Sequence, residues 1–154
     1  MKRYLLDTNI LLHALKKDSF WSKISAELEI DQAQNFISVV SIGELYALAL
    51  RNNWGEARFA RLQLLKDHFG ILDINVEAIL YRYAEIDAFS QGKLKDRPLN
   101  DSSRNMGKND LWIAATASVF NLTLLTIDRD FKHLESEFIE LKFLSFNDIT
   151  DQRQ

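Results

Sequence analysis

Short apolar runs alternate with longer stretches of helical period along the whole chain. This alternation predicts a parallel α/β sheet, a three-layer α/β/α sandwich with five mostly parallel central strands. The runs predicted as strands are Arg3–Leu6, 35–39, 71–73, Thr123–Thr126 and Glu140–Phe143. Between them the pattern predicts helices over 9–16 and 20–30, then over 42–52 and 54–69, with Asn53-Trp54-Gly55 as the break. A further helix is predicted over 76–91, where Ile79, Leu80, Tyr83, Ile86 and Phe89 recur at helical spacing. The stretch 111–120 is apolar on nearly every side and predicts a buried central helix. Segment 92–107 lacks periodicity and carries the only proline, Pro98. It is the one long loop, and such loops in small domains are functional or mobile. No repeat, low-complexity tract or linker interrupts the chain, so residues 1–154 are expected to form one domain.

Composition narrows the class. At 154 residues with 47% hydrophobic and 27% charged residues, the chain suits a globular domain with a sizeable core. Its net charge of −3 argues against a broadly basic surface built for tight non-specific nucleic-acid binding. The absence of cysteine excludes disulfides, thiolate metal sites and cysteine nucleophiles, and a cytoplasmic location fits. Only three residues separate Met1-Lys2-Arg3 from Asp7, so no signal peptide is expected. No apolar run approaches the roughly 18 residues that span a bilayer, so no membrane association is expected.

Four acids interrupt the apolar pattern where strands give way to helices. Asp7 follows Tyr4-Leu5-Leu6, Glu44 lies in Ser41-Ile42-Gly43-Glu44-Leu45, Asp110 in Asn109-Asp110-Leu111-Trp112, and Asp128 ends Leu124-Leu125-Thr126-Ile127-Asp128. Taken singly, each reads as a helix cap, because acids near helix N-termini meet unpaired N–H groups. Ser41 to Glu44 even has the spacing of a capping box, with serine at the N-cap. The charge surroundings favour another reading. The residues three and four ahead of Asp7, Glu44 and Asp110 are all apolar, so none has a helical ion-pair partner there. Asp128 differs, with Arg129 beside it and Lys132 four residues on. Ligands of open α/β sheets bind beyond the carboxyl ends of the strands, where these acids can meet. Clustered carboxylates repel unless a hard divalent cation joins them, and Mg²⁺ or Mn²⁺ takes oxygen ligands. Such an ion acidifies water and stabilises charge on a phosphoryl oxygen, which predicts phosphodiester hydrolysis. The chain offers no Gly-rich phosphate loop, Ser-His-Asp spacing or paired His motif for other chemistry.

Leu5-Leu6-Asp7-Thr8-Asn9, Ser41 to Leu45, Asn109 to Ala115 and Leu125 to Phe131 resemble, in order, the signature segments of PIN-domain ribonucleases, and most closely the VapC toxins of bacterial toxin–antitoxin pairs. The resemblance implies that Asp7, Glu44 and Asp110 bind Mg²⁺ or Mn²⁺ and serve catalysis with Asp128 as the fourth acid, Asp130 being the alternate. It implies that Thr8, Asn9 and Thr126 orient carboxylates or water. It also implies an endoribonuclease acting on RNA, a homodimer, and inhibition by a small antitoxin. Segment 92–107 is longer than in compact family members. The rivals are a housekeeping RNA-processing or DNA-directed PIN nuclease, and a non-catalytic metal-binding or interaction module.

Other residues carry weaker signals. Lys93, Lys95, Arg97, Arg104 and Lys108 precede Asp110, but Asp96 and Asp101 interrupt them. As RNA-phosphate contacts, Arg104 and Lys108 are favoured by their nearness to the acid. Trp21, Trp54 and Trp112 are expected to pack in the core rather than stack on bases. His13, His68 and His133 are not expected to ligate metal. The leucine-rich and aromatic 42–69 hairpin is the surface expected to meet the antitoxin or a second copy.

Overall fold

Tyr4, Leu5 and Leu6 are all buried, as a central strand covered on both faces requires. In the computed structural model, which describes residues 1–145, they belong to β1 (Arg3–Leu6), the middle of a five-stranded sheet. The others are β2 (Gln34–Ser38), β3 (Gly70–Leu72), β4 (Thr123–Thr126) and β5 (Glu140–Phe143). All pairings are parallel and the spatial order is β3-β2-β1-β4-β5. Six helices connect them: α1 (Thr8–Lys16), α2 (Ser19–Glu27), α3 (Val39–Arg51), α4 (Glu56–His68), α5 (Glu77–Ser90) and α6 (Lys108–Phe120).

Side-chain alternation along the strands sorts the core into two layers. Leu6 and Leu125 join Ile10, Phe20, Leu45 and Leu62 from α1–α4 on one face. Leu5 and Leu124 join Ile79, Phe89, Leu111 and Ala114 from α5 and α6 on the other. The result is the expected three-layer α/β/α sandwich. From β1 the chain moves outward to β2 and β3, then returns to place β4 on the other side of β1. The order therefore reverses between β1 and β4, and in open α/β sheets the crevice that takes ligands lies beyond the carboxyl ends of the strands at such a point. The ladder there runs one step past β1, the Asp7 amide donating to the Leu125 carbonyl at 3.0 Å.

β1, β4 and β5 begin and end where the pattern places them, whereas β2 and β3 each start one residue earlier. Val39 leaves β2 because the Ser38 hydroxyl accepts the Val40 amide at 3.1 Å and starts α3 there. The capping box expected at Ser41 and Glu44 is therefore corrected: Ser38 is the N-cap, and Ser41 is a buried residue of the first turn. The helix predicted over 111–120 likewise starts three residues sooner, at Lys108. The one predicted over 20–30 stops at Glu27 and is followed by a 3-10 turn, Ile30–Gln32. On α5, Ile79, Ile86 and Phe89 are buried, but Leu80 is 40% exposed and faces outward. β3 opens with Gly70 paired to Phe36, whose ring fills the space a side chain would take: a Cβ there would stand 2.8 Å from Phe36 Cδ1.

The loop between α5 and α6 is strapped down. The Arg104 amide donates to the Ser90 carbonyl at 2.8 Å. Arg97 pairs with Glu137 at 3.4 Å and lies 4.4 Å from the centre of the Phe138 ring. The end of the predicted 1–154 domain, from residue 146 on, lies outside the described residues.

Candidate active site

Asp7 is the N-cap of α1 directly after β1, with only 4% of its surface exposed. Its Oδ1 accepts the Thr8 amide at 2.8 Å and its Oδ2 accepts the Thr126 hydroxyl at 2.7 Å. Both bonds favour the ionised form. Burial outweighs them, and with the charges of Asp128 and Glu44 it pushes the carboxyl up to about 6.

Glu44 reaches the same crevice from α3. The Thr8 hydroxyl lies 3.0 Å from Glu44 Oε1 and 2.9 Å from the Ser41 hydroxyl. A carboxylate oxygen can only accept, so the Thr8 proton goes to Glu44 and the Ser41 proton to Thr8. Thr8 and Ser41 are buried, and this relay satisfies both while orienting Glu44. Ser41 is a site residue that sequence reasoning missed. The signal available was its position three residues ahead of Glu44, which the capping-box reading absorbed.

Asp110 lies in the first turn of α6. One oxygen of each of Asp110, Asp128 and Asp130 lies within 4.8 Å of the others. Asp110 is pushed up to about 7, first by burial and then by the charges of Asp7, Asp128, Glu44 and Asp130. Asp128 follows β4, and its Oδ1 accepts the Asp130 amide at 2.9 Å. Its own amide donates to the Thr126 hydroxyl at 2.9 Å, so Thr126 connects Asp7 to the Asp128 turn. The structure thus brings Asp7, Glu44, Asp110, Asp128 and Asp130 into one crevice. Asp128 and Asp130 both stand by Asp110, rather than one in place of the other.

No cation among the described residues forms a salt bridge with any of these five acids. The two that the sequence offers Asp128 turn elsewhere: Arg129 and Lys132 lie 5.7 and 4.5 Å from the Phe143 ring centre. Arg104, favoured as an RNA contact, bonds Asp101 at 2.7 Å and belongs to the strapped loop. Lys108 is exposed at the start of α6, two residues from Asp110. Thr8 bonds Glu44 and Thr126 bonds Asp7, whereas Asn9 is exposed and, among the described residues, bonds none of the acids. Trp21, Trp54 and Trp112 pack against the cores. His13 pairs with Asp18, and His133 bonds Ser90.

The donor set is made of carboxylate and hydroxyl oxygens, with no sulfur and no imidazole among the grouped ligands. That chemistry suits a hard divalent cation and disfavours zinc or copper. A cation here would offset both the burial and the mutual repulsion that hold the Asp7 and Asp110 carboxyls above their ordinary range.

Comparison with known proteins agrees with this fold. The PIN domain model matches residues 4–137. Ribonuclease VapC1 of Haemophilus influenzae is 29% identical over 150 residues, covering 96% of this chain and 98% of that one. Ribonuclease VapC2 of Rickettsia felis is 28% identical over 142 residues, 89% of this chain and 96% of that one. Among solved structures, VapBC2 from Rickettsia felis bound to a DNA fragment from its promoter superposes with a TM-score of 0.72 at 24% identity, covering 92% of this chain and 98% of that one. A toxin–antitoxin complex from Klebsiella pneumoniae gives a TM-score of 0.59 at 26% identity, covering 83% and 89%. Within the described residues, no helix is long and apolar enough to cross a membrane.

Proposed function

The chain belongs to the PIN-domain family, and from that premise we propose that it is a metal-dependent endoribonuclease, the toxin of a toxin–antitoxin pair. The observation that carries this reading is the meeting of Asp110 with Asp128 and Asp130 within 4.8 Å, beside a buried Asp7 and a Thr8-tethered Glu44. Asp7, Glu44, Asp110 and Asp128, with Asp130, would hold Mg²⁺ or Mn²⁺. When bound, the ion supplies an acidified water and positive charge beside the phosphoryl oxygen.

The chain's own residues prepare that chemistry. Thr126 holds Asp7 in one rotamer from β4, and Thr8 with Ser41 holds Glu44 from α1 and α3. Carboxylates fixed from separate rigid elements lose little freedom when the ion arrives. Before the ion arrives Asp110, pushed up to about 7, can hold a proton near neutral pH, and binding a cation would release it. Lys108, exposed two residues before Asp110, is a candidate to meet a backbone phosphate.

RNA as substrate and a small antitoxin as partner follow from the relatives, which are named ribonucleases and occur in toxin–antitoxin complexes. The α3–α4 hairpin exposes Leu50 and Leu64, and it is the surface we assign to the antitoxin or to the second copy of a homodimer. A cytoplasmic location suits RNA as substrate and a chain without cysteine. The toxin reading is tested by expressing the chain alone. Growth arrest that is relieved by a small neighbouring gene, and absent for Asp7→Asn, is the expected result. Unimpeded growth at high expression contradicts it.

A further inference from the structure

Ser90 ends α5 with its side chain fully buried. A buried hydroxyl needs partners, and those of Ser90 come from two distant segments. His133 Nε2 lies 2.7 Å from Ser90 Oγ, and Met106 Sδ lies 3.3 Å from it. The Ser90 carbonyl also accepts the Arg104 amide at 2.8 Å.

These contacts fall at telling places in the chain. Met106 is four residues before Asp110 and adjoins the start of α6. His133 is on the 3-10 turn Arg129–Leu134, three residues after Asp130. Residues three apart on such a turn share a face, so His133 lies one turn along from Asp130 on the same side. One hydroxyl therefore joins the segment that presents Asp110 to the segment that presents Asp128 and Asp130. Those three carboxylates approach within 4.8 Å, and without a cation their mutual repulsion works against that spacing. The Phe89 ring stacks parallel to the His133 imidazole at 6.3 Å, which fixes its plane.

We propose that Ser90 and His133 form a clamp that sets the spacing of Asp110 against Asp128 and Asp130, and through it the affinity of the site for a divalent cation. Both are positioning residues, remote from the reacting atoms. The inference rests on the proposed cation site and adds to it a determinant on α5. The long loop before Asp110 becomes part of the same support, because Arg104 and Met106 tie it to Ser90.

The test is calorimetric titration of Mn²⁺ into the full chain, wild type against Ser90→Ala, His133→Ala, His133→Gln and the double alanine variant. Each is confirmed folded by its melting curve. Loss of outer support around a metal site weakens affinity about 10- to 100-fold. The clamp predicts such a loss for either alanine variant and no further loss in the double variant. It predicts recovery in His133→Gln, whose amide reaches the position of imidazole Nε2. Ile24→Val, a core change in the opposite layer, controls for lost stability and should bind Mn²⁺ as wild type does. Wild-type affinity in His133→Ala overturns the clamp while leaving the cation site intact. Failure of wild type itself to bind Mn²⁺ overturns both. If Ser90→Ala does not fold, the His133 pair of variants decides alone.

Discussion

The Thr126 hydroxyl donates to Asp7 Oδ2 at 2.7 Å, joining two residues that are 119 positions apart in the chain. The same oxygen accepts the Asp128 amide at 2.9 Å. The two neighbouring strands at the sheet's switch point are thus tied to each other by the group that orients the most buried acid of the site.

Thr126→Val keeps the shape of the side chain and removes both bonds. Asp7 loses the donor that most favours its ionised form, and the Asp128 amide loses its acceptor. We expect a stability loss of about 1–3 kcal/mol and Mn²⁺ binding weaker by about 10-fold or more. Thr126→Ser should retain most of both. Melting curves and Mn²⁺ titration of the two variants check this.

The pH dependence of the metal-free protein follows from the raised acids. Asp7 and Asp110 ordinarily titrate near 3.8, and in the fold they are pushed up to about 6 and about 7. Across that window the folded chain holds more protons than the unfolded one, so stability falls as pH rises. The contribution is fully present below 3.8 and lost above about 7. For the buried Asp7, a shift of that size corresponds to about 3 kcal/mol. Asp7→Asn should therefore melt higher than wild type at pH 8 in chelator, with the gap closing toward pH 4. Saturating Mn²⁺ should reverse the order at pH 8. Melting curves across pH, with and without Mn²⁺, measure both.

Gly70→Ala tests the fold separately from the site. The added Cβ would meet the Phe36 ring at 2.8 Å, so the ring or the edge strand must shift. We expect a cost of about 1–3 kcal/mol with Mn²⁺-supported RNA cleavage retained at temperatures where the variant is folded. Parallel melting and cleavage assays report the two quantities.

Much of this architecture was legible from local pattern. β1 is a short apolar run that stops at a charged residue, β4 carries Leu124-Leu125 between threonines, and β5 alternates polar and apolar residues, so all three are visible in the pattern. The start of α3 was not. Val39 is β-branched and reads as the end of the strand, yet the Ser38 hydroxyl captures the Val40 amide and turns the chain into a helix. A serine three residues before a glutamate then imitated a cap one turn too late. Asp7, Glu44 and Asp110 could be found because each breaks an apolar run without a cation three or four residues on, whereas Asp128 has Lys132 there and was found by its place at the end of a strand. Their supports were harder to see. The bond from Ser41 to Thr8 crosses 33 residues and that between Ser90 and His133 crosses 43. Partners so far apart leave no local period, and only the packed sheet brings them together. Arg104 misled for the opposite reason. Nearness in sequence to Asp110 suggested substrate, while Asp101 was nearer still in space.

The central claim is that these carboxylates, gathered from four parts of the chain, hold a cation with which the protein cuts RNA. Its most direct test is digestion of single-stranded RNA by purified protein, run with Mn²⁺ and with excess chelator, for wild type and Asp110→Asn. The account predicts internal cleavage only by wild type and only with the metal. Cleavage that persists undiminished in chelator, or in Asp110→Asn, would contradict it.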